Sequence, residues 1–470
     1  MLIIIAGAGR VGLDLARNLR GENRDVVLLD NSATAVKSAQ SIDALVLHGD
    51  ALDREKLKMA GIHRATVFIA ATGSDERNLL TCAMARHEFS QNGDGGKELL
   101  TICRISDPDL LHEYRGGHLR EWCGVDYAVM PIENSIRRLK TGLRVTSFDQ
   151  VIPFGHQSYI VELGLTKDAR DLAFSTLEQA NSRVGGLPTI VGMKREGESS
   201  IIPTSDTQLL PKDQIAVAAI GIRSFPRIVR LMGHDEDDFP ENPRVAVFGA
   251  NHSGAKLAEA YIADGCEVTV IEPDLAVANA LAGSAVGANS NLDVINGDHH
   301  DKVLLREVEL PHHDIAVAAL DDDHASIAVA LMAQSLGVPR TGLILNDADL
   351  VSVVKRMGIT FAVNKNRVCV DLILAKIHDA LTGAYGVLET IPHIIGVGLE
   401  VKSGDERIGS TLDEIKLPSY CKVAFIQRLD PDGERVTLAT NEERVLQEGD
   451  RIICFLPQDR VDDLRRRFSE

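Results

Sequence analysis

Hydrophobic residues along the first 130 positions alternate between two spacings. Leu2–Ala6 is a continuous apolar run, which is typical of a strand covered on both faces of a sheet. The next apolar residues, Val11, Leu15 and Leu19, recur at helical spacing. Similar strand-like runs follow at Asp25–Asp30, Ala44–Asp50, Ala65–Thr72, Leu99–Ile105 and Tyr127–Pro131. Strands that alternate with helices predict a doubly wound α/β domain built on a parallel sheet.

The same pattern returns after residue 243, which indicates an internal duplication. Arg244–Gly249 matches Leu2–Gly7, and each copy is followed by a segment of short β-like runs. A duplication of this length is far longer than the short repeats of solenoid proteins. We therefore expect five parts: a Rossmann-like domain at 1–145, a small α+β module at 146–233, an acidic linker at 234–243, a second Rossmann-like domain at 244–388 and a second module at 389–470.

A Gly-rich motif, Gly7-Ala8-Gly9-Arg10-Val11-Gly12, lies between the first predicted strand and helix, and Asp30 ends the second strand. In this context the motif is typical of dinucleotide binding. Gly7 permits the tight turn, Gly9 lets phosphates approach the backbone, and Gly12 lets the helix pack on the strand. The helix N-terminus offers free N–H groups to phosphates. Asp30 can accept hydrogen bonds from ribose hydroxyls and would repel a 2′-phosphate, which disfavours NADPH.

The second copy has an altered motif. Gly249 and Gly254 are retained, but Asn251 stands where the first copy has Gly9, and its side chain obstructs the path of a pyrophosphate. Glu272 still ends the second strand and could hold a ribose. We predict that this site binds a dinucleotide weakly, differently or not at all.

Further polar residues follow the predicted strands of the first copy, at the edge where such sheets bind ligands. They include Asp50, Thr72, Asp75 and Arg104. Arg104 can neutralise a terminal phosphate or form a surface salt bridge. Asp75 can contact a ligand or cap the following helix. In the second copy the position of Arg104 falls on Ile344, which also indicates a degenerate site.

Composition narrows the class of protein. The 470 residues contain 50 basic and 68 acidic side chains, a net charge of −18, which disfavours nucleic-acid binding. No run approaches the ~20 apolar residues that cross a bilayer, so we expect no direct membrane insertion. The seven cysteines include no C-x-x-C pair, as expected of thiols in a reducing, cytoplasmic compartment.

Two other groups of charged or metal-ligating residues are assigned no site. The pairs His299-His300 and His312-His313 lack cysteines or carboxylates at zinc-ligand spacing, which predicts exposed histidines and no metal. The basic residues Arg137, Arg138, Lys140 and Arg144 are predicted to lie on a helix that follows the first domain. They are interpreted as a solvated or subunit-contact face, with anionic lipid as the alternative.

A resemblance to a known family rests on three motifs and on the order of the five parts, and it extends over essentially the whole chain. The motifs are AGAGRVGLDLARNL, HGDALD at 48–53 and ATGSDERNLL at 71–80. The chain resembles the tandem RCK family (regulator of conductance of potassium, also called KTN). This resemblance implies a non-enzymatic, cytoplasmic subunit at the inner face of the membrane. It would assemble into a ring, as a homotetramer, and gate the potassium-translocating membrane subunit of a Trk-type transporter.

The resemblance also implies which residues bind NAD(H) and ATP or ADP, which would compete for one pocket. Residues Gly7, Ala8, Gly9, Arg10, Val11 and Gly12 would form the phosphate loop, and Asp30 would hold the ribose. Asp50 and Ala51 would flank the adenine. Thr72, Asp75 and Arg104 would lie near the phosphates or the nicotinamide. The second-copy candidates are Gly249, Gly254 and Glu272.

Two other functions remain open at the level of sequence. A cytosolic NAD-dependent dehydrogenase would share the Gly-rich motif, although no histidine with an evident carboxylate partner suggests a general acid or base. A nucleotide-sensing scaffold for another membrane transporter or antiporter is the second alternative.

Overall fold

The computed structural model describes residues 1–92, 98–154, 157–235, 239–381, 385–415, 417–430, 435–440 and 445–469. The described chain contains two parallel six-stranded sheets and two antiparallel sheets of four and five strands. This confirms the predicted fold class, two Rossmann-like domains that are each followed by a small α+β module. The boundaries between the parts stay a prediction, and residues 236–238 of the acidic linker lie outside the described residues.

The first Rossmann-like unit has the strand order 3-2-1-4-5-6. Its central strand is buried on both faces, and the following helix buries Val11, Leu15 and Leu19 along one side. This explains the two spacings in the sequence. In chain order the unit contains β1 (Leu2–Ala6), α1 (Arg10–Gly21), β2 (Asp25–Asp30), α2 (Ala33–Ala39), β3 (Leu45–His48), α3 (Arg54–Met59), β4 (Val67–Ala70), α4 (Asp75–Asn92), β5 (Leu100–Arg104), α5 (Pro108–Arg115), α6 (His118–Cys123), β6 (Tyr127–Val129) and α7 (Pro131–Gly142).

The first small module is built on an antiparallel sheet, and the last strand of the module pairs with two other strands of this sheet. It contains β7 (Gln150–Pro153), β8 (Ser158–Gly164), α8 (Leu177–Val184), β9 (Ile190–Lys194), β10 (Gln214–Ile220) and α9 (Phe225–Leu231).

The second half repeats both architectures, with the same strand order in its parallel sheet. The Rossmann-like unit contains β11 (Arg244–Phe248), α10 (His252–Ala263), β12 (Glu267–Glu272), α11 (Leu275–Ala282), β13 (Leu292–Asn296), α12 (Lys302–Glu307), β14 (Ile315–Ala318), α13 (Asp323–Ser335), β15 (Arg340–Leu345), α14 (Ala348–Arg356), β16 (Phe361–Asn364) and α15 (Lys365–Leu381). The module contains β17 (Tyr385–Val387), β18 (Ile394–Glu400), β19 (Lys422–Leu429), β20 (Arg435–Leu438), β21 (Arg451–Pro457) and α16 (Val461–Ser469).

The last helix of each Rossmann-like unit packs on the other unit. Helix α7 packs closely across β15 and β16. A methyl group added to Gly342 on β15 would lie 2.9 Å from a methyl carbon of Leu143, the residue that follows α7. Helix α15 packs in return against α1, β5 and β6. Its Val370 and Ile373 share one core with Ile3 of the first sheet. Each helix therefore buries apolar residues in the opposite half, and this reciprocal packing joins the two halves.

The two small modules also pack against each other through their sheets. The rings of Phe154 and Phe455 meet edge to face, with centroids 5.6 Å apart. Gln427 donates a hydrogen bond to the Phe154 carbonyl oxygen across this contact. Each module therefore has a partner surface, which small sheets of this size need for stability.

A buried carboxylate of the first module connects it to the second half of the chain. Glu162 on β8 is fully buried, and its carboxylate accepts hydrogen bonds from the backbone N–H groups of Glu389 (2.9 Å) and Thr390 (2.7 Å). Burial raises the pKa of Glu162 from 4.5 to about 7. The folded protein therefore binds a proton at pH values where the unfolded chain has already released it.

Because of Glu162, the free energy of unfolding is expected to decrease as the pH rises. The contribution of Glu162 is fully present below pH 4.5 and is lost as the pH rises to about 7. It amounts to about 3 kcal/mol in the free energy of unfolding. In the variant Glu162→Gln this side chain cannot titrate. Between pH 5 and pH 8 the wild type should therefore lose free energy of unfolding relative to the variant, as measured by urea unfolding. Parallel pH profiles for the two proteins would contradict the prediction.

The histidine prediction is partly wrong. His300 and His312 are exposed, but His299 and His313 are buried. The His299 ring bonds to the Ile271 carbonyl oxygen and the His313 ring to the Thr269 hydroxyl, so both fill polar positions in the core. Among the described residues no group of three histidines, cysteines or acids is placed to hold a metal. No helix in the described part of the chain is both long and apolar enough to span a bilayer.

Candidate functional site

The Gly-rich motif of the first copy forms the floor of a cleft of about 500 Å³ at the carboxyl end of the first sheet. Gly7 has a φ of +109°, and a methyl group there would lie 2.9 Å from the Ala71 carbonyl oxygen. A methyl group on Gly12 would lie 1.9 Å from the Gly7 carbonyl oxygen, so α1 can approach β1 only without a side chain. A methyl group on Gly9 would meet no atom within 4 Å. Gly9 therefore faces the open cleft.

The N-terminus of α1 has no side-chain cap. The first N–H groups of a helix lack partners within the helix and attract anions. Since Gly9 has no side chain over them, these groups are accessible from the cleft. This geometry fits a phosphate.

Asp30 lines the same cleft at the end of β2. Its carboxylate accepts hydrogen bonds from the N–H groups of Ala8 (2.6 Å) and Ser32 (2.7 Å), which fix its orientation. Oxygen lone pairs remain available on the cleft side, as needed to accept from ribose hydroxyls. The position agrees with the role expected from the sequence.

Three cationic side chains line the cleft, one from the Gly-rich loop itself and two from the ends of later strands and helices. Arg10, Arg77 and Arg104 line the cleft. Arg77 forms an ion pair with Asp50, whereas Arg104 makes no ion pair among the described residues. Within the described part of the chain, the guanidinium of Arg104 thus has no salt-bridge partner, and its contact with a ligand stays a prediction.

The remaining sequence candidates are distributed differently. Thr72 lines the cleft, and its N–H and hydroxyl donate to the Asn78 amide oxygen. Asp75 accepts from the N–H groups of Ser106 and Asp107, so its carboxylate is used to hold the loop after β5. Val11 lines the cleft, whereas Asp50 and Ala51 do not; Asp50 is paired with Arg77, and Ala51 is buried.

The second half of the chain contributes to this first site. Asn366, at the start of α15, lines the cleft, and its amide donates to the Asn346 carbonyl oxygen at 2.7 Å. Asp347 forms an ion pair with Arg10 at 2.9 Å at the mouth of the cleft. Sequence reasoning missed both residues and Asn31; it included Ser74 and Arg77 only within the motif at 71–80, without giving either a role. For Asn366 and Asp347 no local signal exists, because they lie more than 300 positions away in the chain.

The equivalent position in the second copy is filled by the protein's own side chains. The Asn251 amide oxygen accepts from the Gly254 N–H at 3.0 Å, and its amide donates to Asp321. A methyl group added to Gly249 would lie 2.8 Å from a methyl carbon of Leu320. Glu272 is buried and accepts from the Ala250 N–H.

Electrostatics also disfavours a phosphate there. Asp321, Asp322 and Asp323 follow β14, where the first copy has Gly73, Ser74 and Asp75. Strand register aligns Ile344 with Arg104, because Leu343 pairs with Ala318 as Cys103 pairs with Ala70. The second position thus has additional carboxylates and no equivalent of the Arg104 cation.

Known proteins resemble this chain along its whole length. One relative is the Trk system potassium uptake protein TrkA of Vibrio alginolyticus, 25% identical over 474 residues, which cover 97% of this chain and 96% of that protein. A TrkA homolog of Archaeoglobus fulgidus is 25% identical over 475 residues, which cover all of both chains.

Solved structures show the same fold. The GsuK channel bound to NAD superposes with a TM-score of 0.54 at 18% identity, over 99% of this chain and 78% of that one. The GsuK RCK domain gives a TM-score of 0.53 at 18% identity, over 99% and 94% of the two chains.

The family of the TrkA-N domain matches two separate regions, residues 3–131 and 245–365. These regions are the two Rossmann-like units, from the first strand of each sheet to the last. The duplicated sheets, the Gly-rich cleft and this match lead to one conclusion: the chain belongs to the TrkA-N family and carries two copies of its domain.

Proposed function

We propose that this protein is the cytoplasmic regulatory subunit of a Trk-type potassium transporter and that it binds NAD(H) and ATP or ADP in the cleft of its first copy. The observation that carries the proposal is the open approach to the α1 N-terminus over Gly9, flanked by Asp30 and Arg104. The relatives named as potassium uptake proteins support the transporter assignment. An NAD-bound channel with the same fold supports the ligand class.

Each ligand would use the cleft differently. Asp30 would accept from a ribose hydroxyl of either ligand, and the N–H groups at the start of α1 would bind phosphate oxygens. Arg104 or Arg10 would neutralise the terminal phosphate of ATP, whereas NADH would extend its nicotinamide into the same space. The two ligands would therefore compete.

Regulation would follow from contacts across the two halves. Arg10 is held by Asp347 of the second half, so a phosphate that draws Arg10 inward competes with this ion pair. Helix α7 connects the first sheet to its module while it packs on the second sheet, which makes it a candidate lever. Ligands that prefer different arrangements shift such an equilibrium by ~1–3 kcal/mol. In a homotetrameric ring on the inner face of the membrane, this shift would gate the potassium-translocating Trk subunit.

The site supports binding without catalysis. The residues that line the described cleft include no histidine, lysine, cysteine or tyrosine that could act as a general acid or base. A dehydrogenase would oxidise or reduce alcohols or hydroxy acids with a change in nicotinamide absorbance, and we expect no such turnover. Co-purification with a membrane potassium transporter, and loss of potassium uptake on deletion, would separate the Trk assignment from a scaffold for another transporter.

Two substitutions test the pocket by calorimetry with ATP, ADP, NADH and NAD. Asp30→Ala removes the ribose acceptor and is expected to weaken all four ligands about tenfold. Arg104→Ala should weaken ATP by a similar factor, because a charge-assisted hydrogen bond is lost. Glu272→Ala is the matched control, since it removes the equivalent carboxylate of the second copy. Unchanged affinities in both test variants, or equal losses in the control, would refute the assignment.

A further inference from the structure

A second cleft lies apart from the Gly-rich one, where α7, α10 and the first module meet. Its volume is about 570 Å³, within the range of small-molecule sites. A smaller apolar pocket of about 140 Å³, lined by Val145, Phe225 and Val229, adjoins it. Arg144 and Phe239 line both cavities, so they form a continuous space with one apolar end.

Three acids and three bases line this second cleft, and one of the bases, Arg137, is exposed and donates a hydrogen bond to the Asn134 amide oxygen. Glu133, Glu241 and Asp264 are its carboxylates, and all three are exposed. Lys140 is mostly buried and is neutralised by Asp264 at 2.9 Å. Arg144 is half-buried, and its guanidinium stacks on the Phe239 ring at 4.8 Å. Among the described residues Arg144 makes no ion pair or hydrogen bond, which leaves it available to an anion.

A buried hydroxyl lines the same space. Tyr261 on α10 is 3% exposed, and its phenolic oxygen has no hydrogen-bond partner among the described residues. Burial raises the pKa of this phenol, so it remains a protonated donor at neutral pH. Tyr261 and Arg144 line the same cleft. Buried polar groups without partners are rare in proteins and costly, which points to a ligand atom that accepts this hydrogen bond.

We propose that this second cleft binds an aromatic monoanion, a flat apolar ring that carries one carboxylate or sulfonate. The acidic group would pair with Arg144 and accept from the Tyr261 hydroxyl. The ring would enter the apolar pocket beside Phe225 and Val229 and contact Phe239. The three acids of the cleft balance its three bases, so a ligand with a single negative charge fits it better than a polyphosphate. The proposal does not depend on the function proposed for the Gly-rich cleft.

The test uses the full chain and two probes, 8-anilinonaphthalene-1-sulfonate by fluorescence and 2-naphthoate by calorimetry. Arg144→Met keeps the apolar stem and removes the charge, and we expect both probes to bind about tenfold more weakly. Tyr261→Phe removes only the hydroxyl and should weaken binding by a smaller factor, about threefold. Ile222→Trp should abolish binding, because Ile222 lines both cavities and the larger ring fills their junction.

Arg223→Met is the matched control, since Arg223 is exposed and adjacent to Ile222 but does not line either cavity. Its affinity for both probes should equal that of the wild type. Far-UV circular dichroism and thermal midpoints establish that each variant is folded. Binding that does not saturate, or that is equally strong in folded Arg144→Met and wild type, would overturn the proposal.

Discussion

Gly9→Asn is expected to weaken the binding of ATP and NADH by about 100-fold while the protein stays folded. The substitution transfers to the first copy the residue that the second copy has at this position. The backbone accepts it, because Gly9 has φ −72° and ψ −173°, and Asn251 has φ −60° and ψ 177°. No atom lies within 4 Å of the added Cβ.

The loss has a specific cause. By analogy with Asn251 and Gly254, the new amide oxygen would accept from the N–H of Gly12 and cover the N-terminus of α1. The phosphate would lose that donor and meet the side chain in its path. Together these effects amount to about 3 kcal/mol, the sum of a charge-assisted hydrogen bond and steric obstruction. An asparagine cap adds a few tenths of a kcal/mol to helix stability compared with glycine, so the thermal midpoint should not fall.

The reciprocal change, Asn251→Gly, is the control. It opens the N-terminus of α10 but leaves Leu320 over Gly249 and the three aspartates after β14 in place. No second nucleotide site should appear in calorimetry. Unchanged affinity in Gly9→Asn, or a loss that only parallels a lower thermal midpoint, would contradict the prediction.

Arg138→Met is expected to lower the free energy of unfolding by about 3–5 kcal/mol. Arg138 on α7 is 6% exposed and forms ion pairs with Asp371 at 2.8 Å and Glu389 at 3.4 Å, both in the second half. Arg367 also reaches Asp371, at 3.2 Å. Removing Arg138 leaves two acids with a single base where α7 crosses α15, and an uncompensated buried charge is costly. Urea unfolding followed by far-UV circular dichroism measures the loss.

The charge mechanism gives this prediction a pH dependence. Burial raises the pKa of Glu389, and Arg138 opposes that shift. Without Arg138, Glu389 should protonate more easily, so the destabilisation should be smaller at pH 5 than at pH 8. Arg137→Met, one position away on an exposed side chain, should change stability by less than about 0.5 kcal/mol. Equal losses for Arg138→Met at both pH values would indicate lost packing and not lost charge.

Local patterns were sufficient for the fold class and for the floor of the candidate site. Buried strands are apolar on both faces in the sequence because helices cover both sides of a parallel sheet. The Gly-rich turn is readable because two of its glycines meet local steric requirements, Gly7 through its positive φ and Gly12 through its close approach to Gly7. The altered second motif was predicted from Asn251 and Ile344, and the cap that Asn251 forms on Gly254 gives the physical reason for the first of these signals. The nucleotide contacts themselves remain predictions.

Charged and polar side chains were predicted less well. The basic residues on α7 were interpreted as a solvated or subunit-contact face, yet Arg138 is buried between the halves of one chain. His299 and His313 were expected to be exposed, yet both are in the core. Burial of such residues depends on partners such as Asp371 and Thr269, which local sequence does not identify.

The sequence by itself determined that two Rossmann-like units exist and that only one keeps an open phosphate loop, because strand periodicity, helix caps and tight turns depend on neighbouring residues. Only the tertiary structure decided that α7 and α15 exchange partners and that Asn366 and Asp347 flank the first cleft. It also decided that Arg144 and Tyr261 line a second cleft. These contacts join residues that are far apart in the chain. They form because apolar helix faces are buried in the folded protein, and the local sequence pattern contains no signal for them.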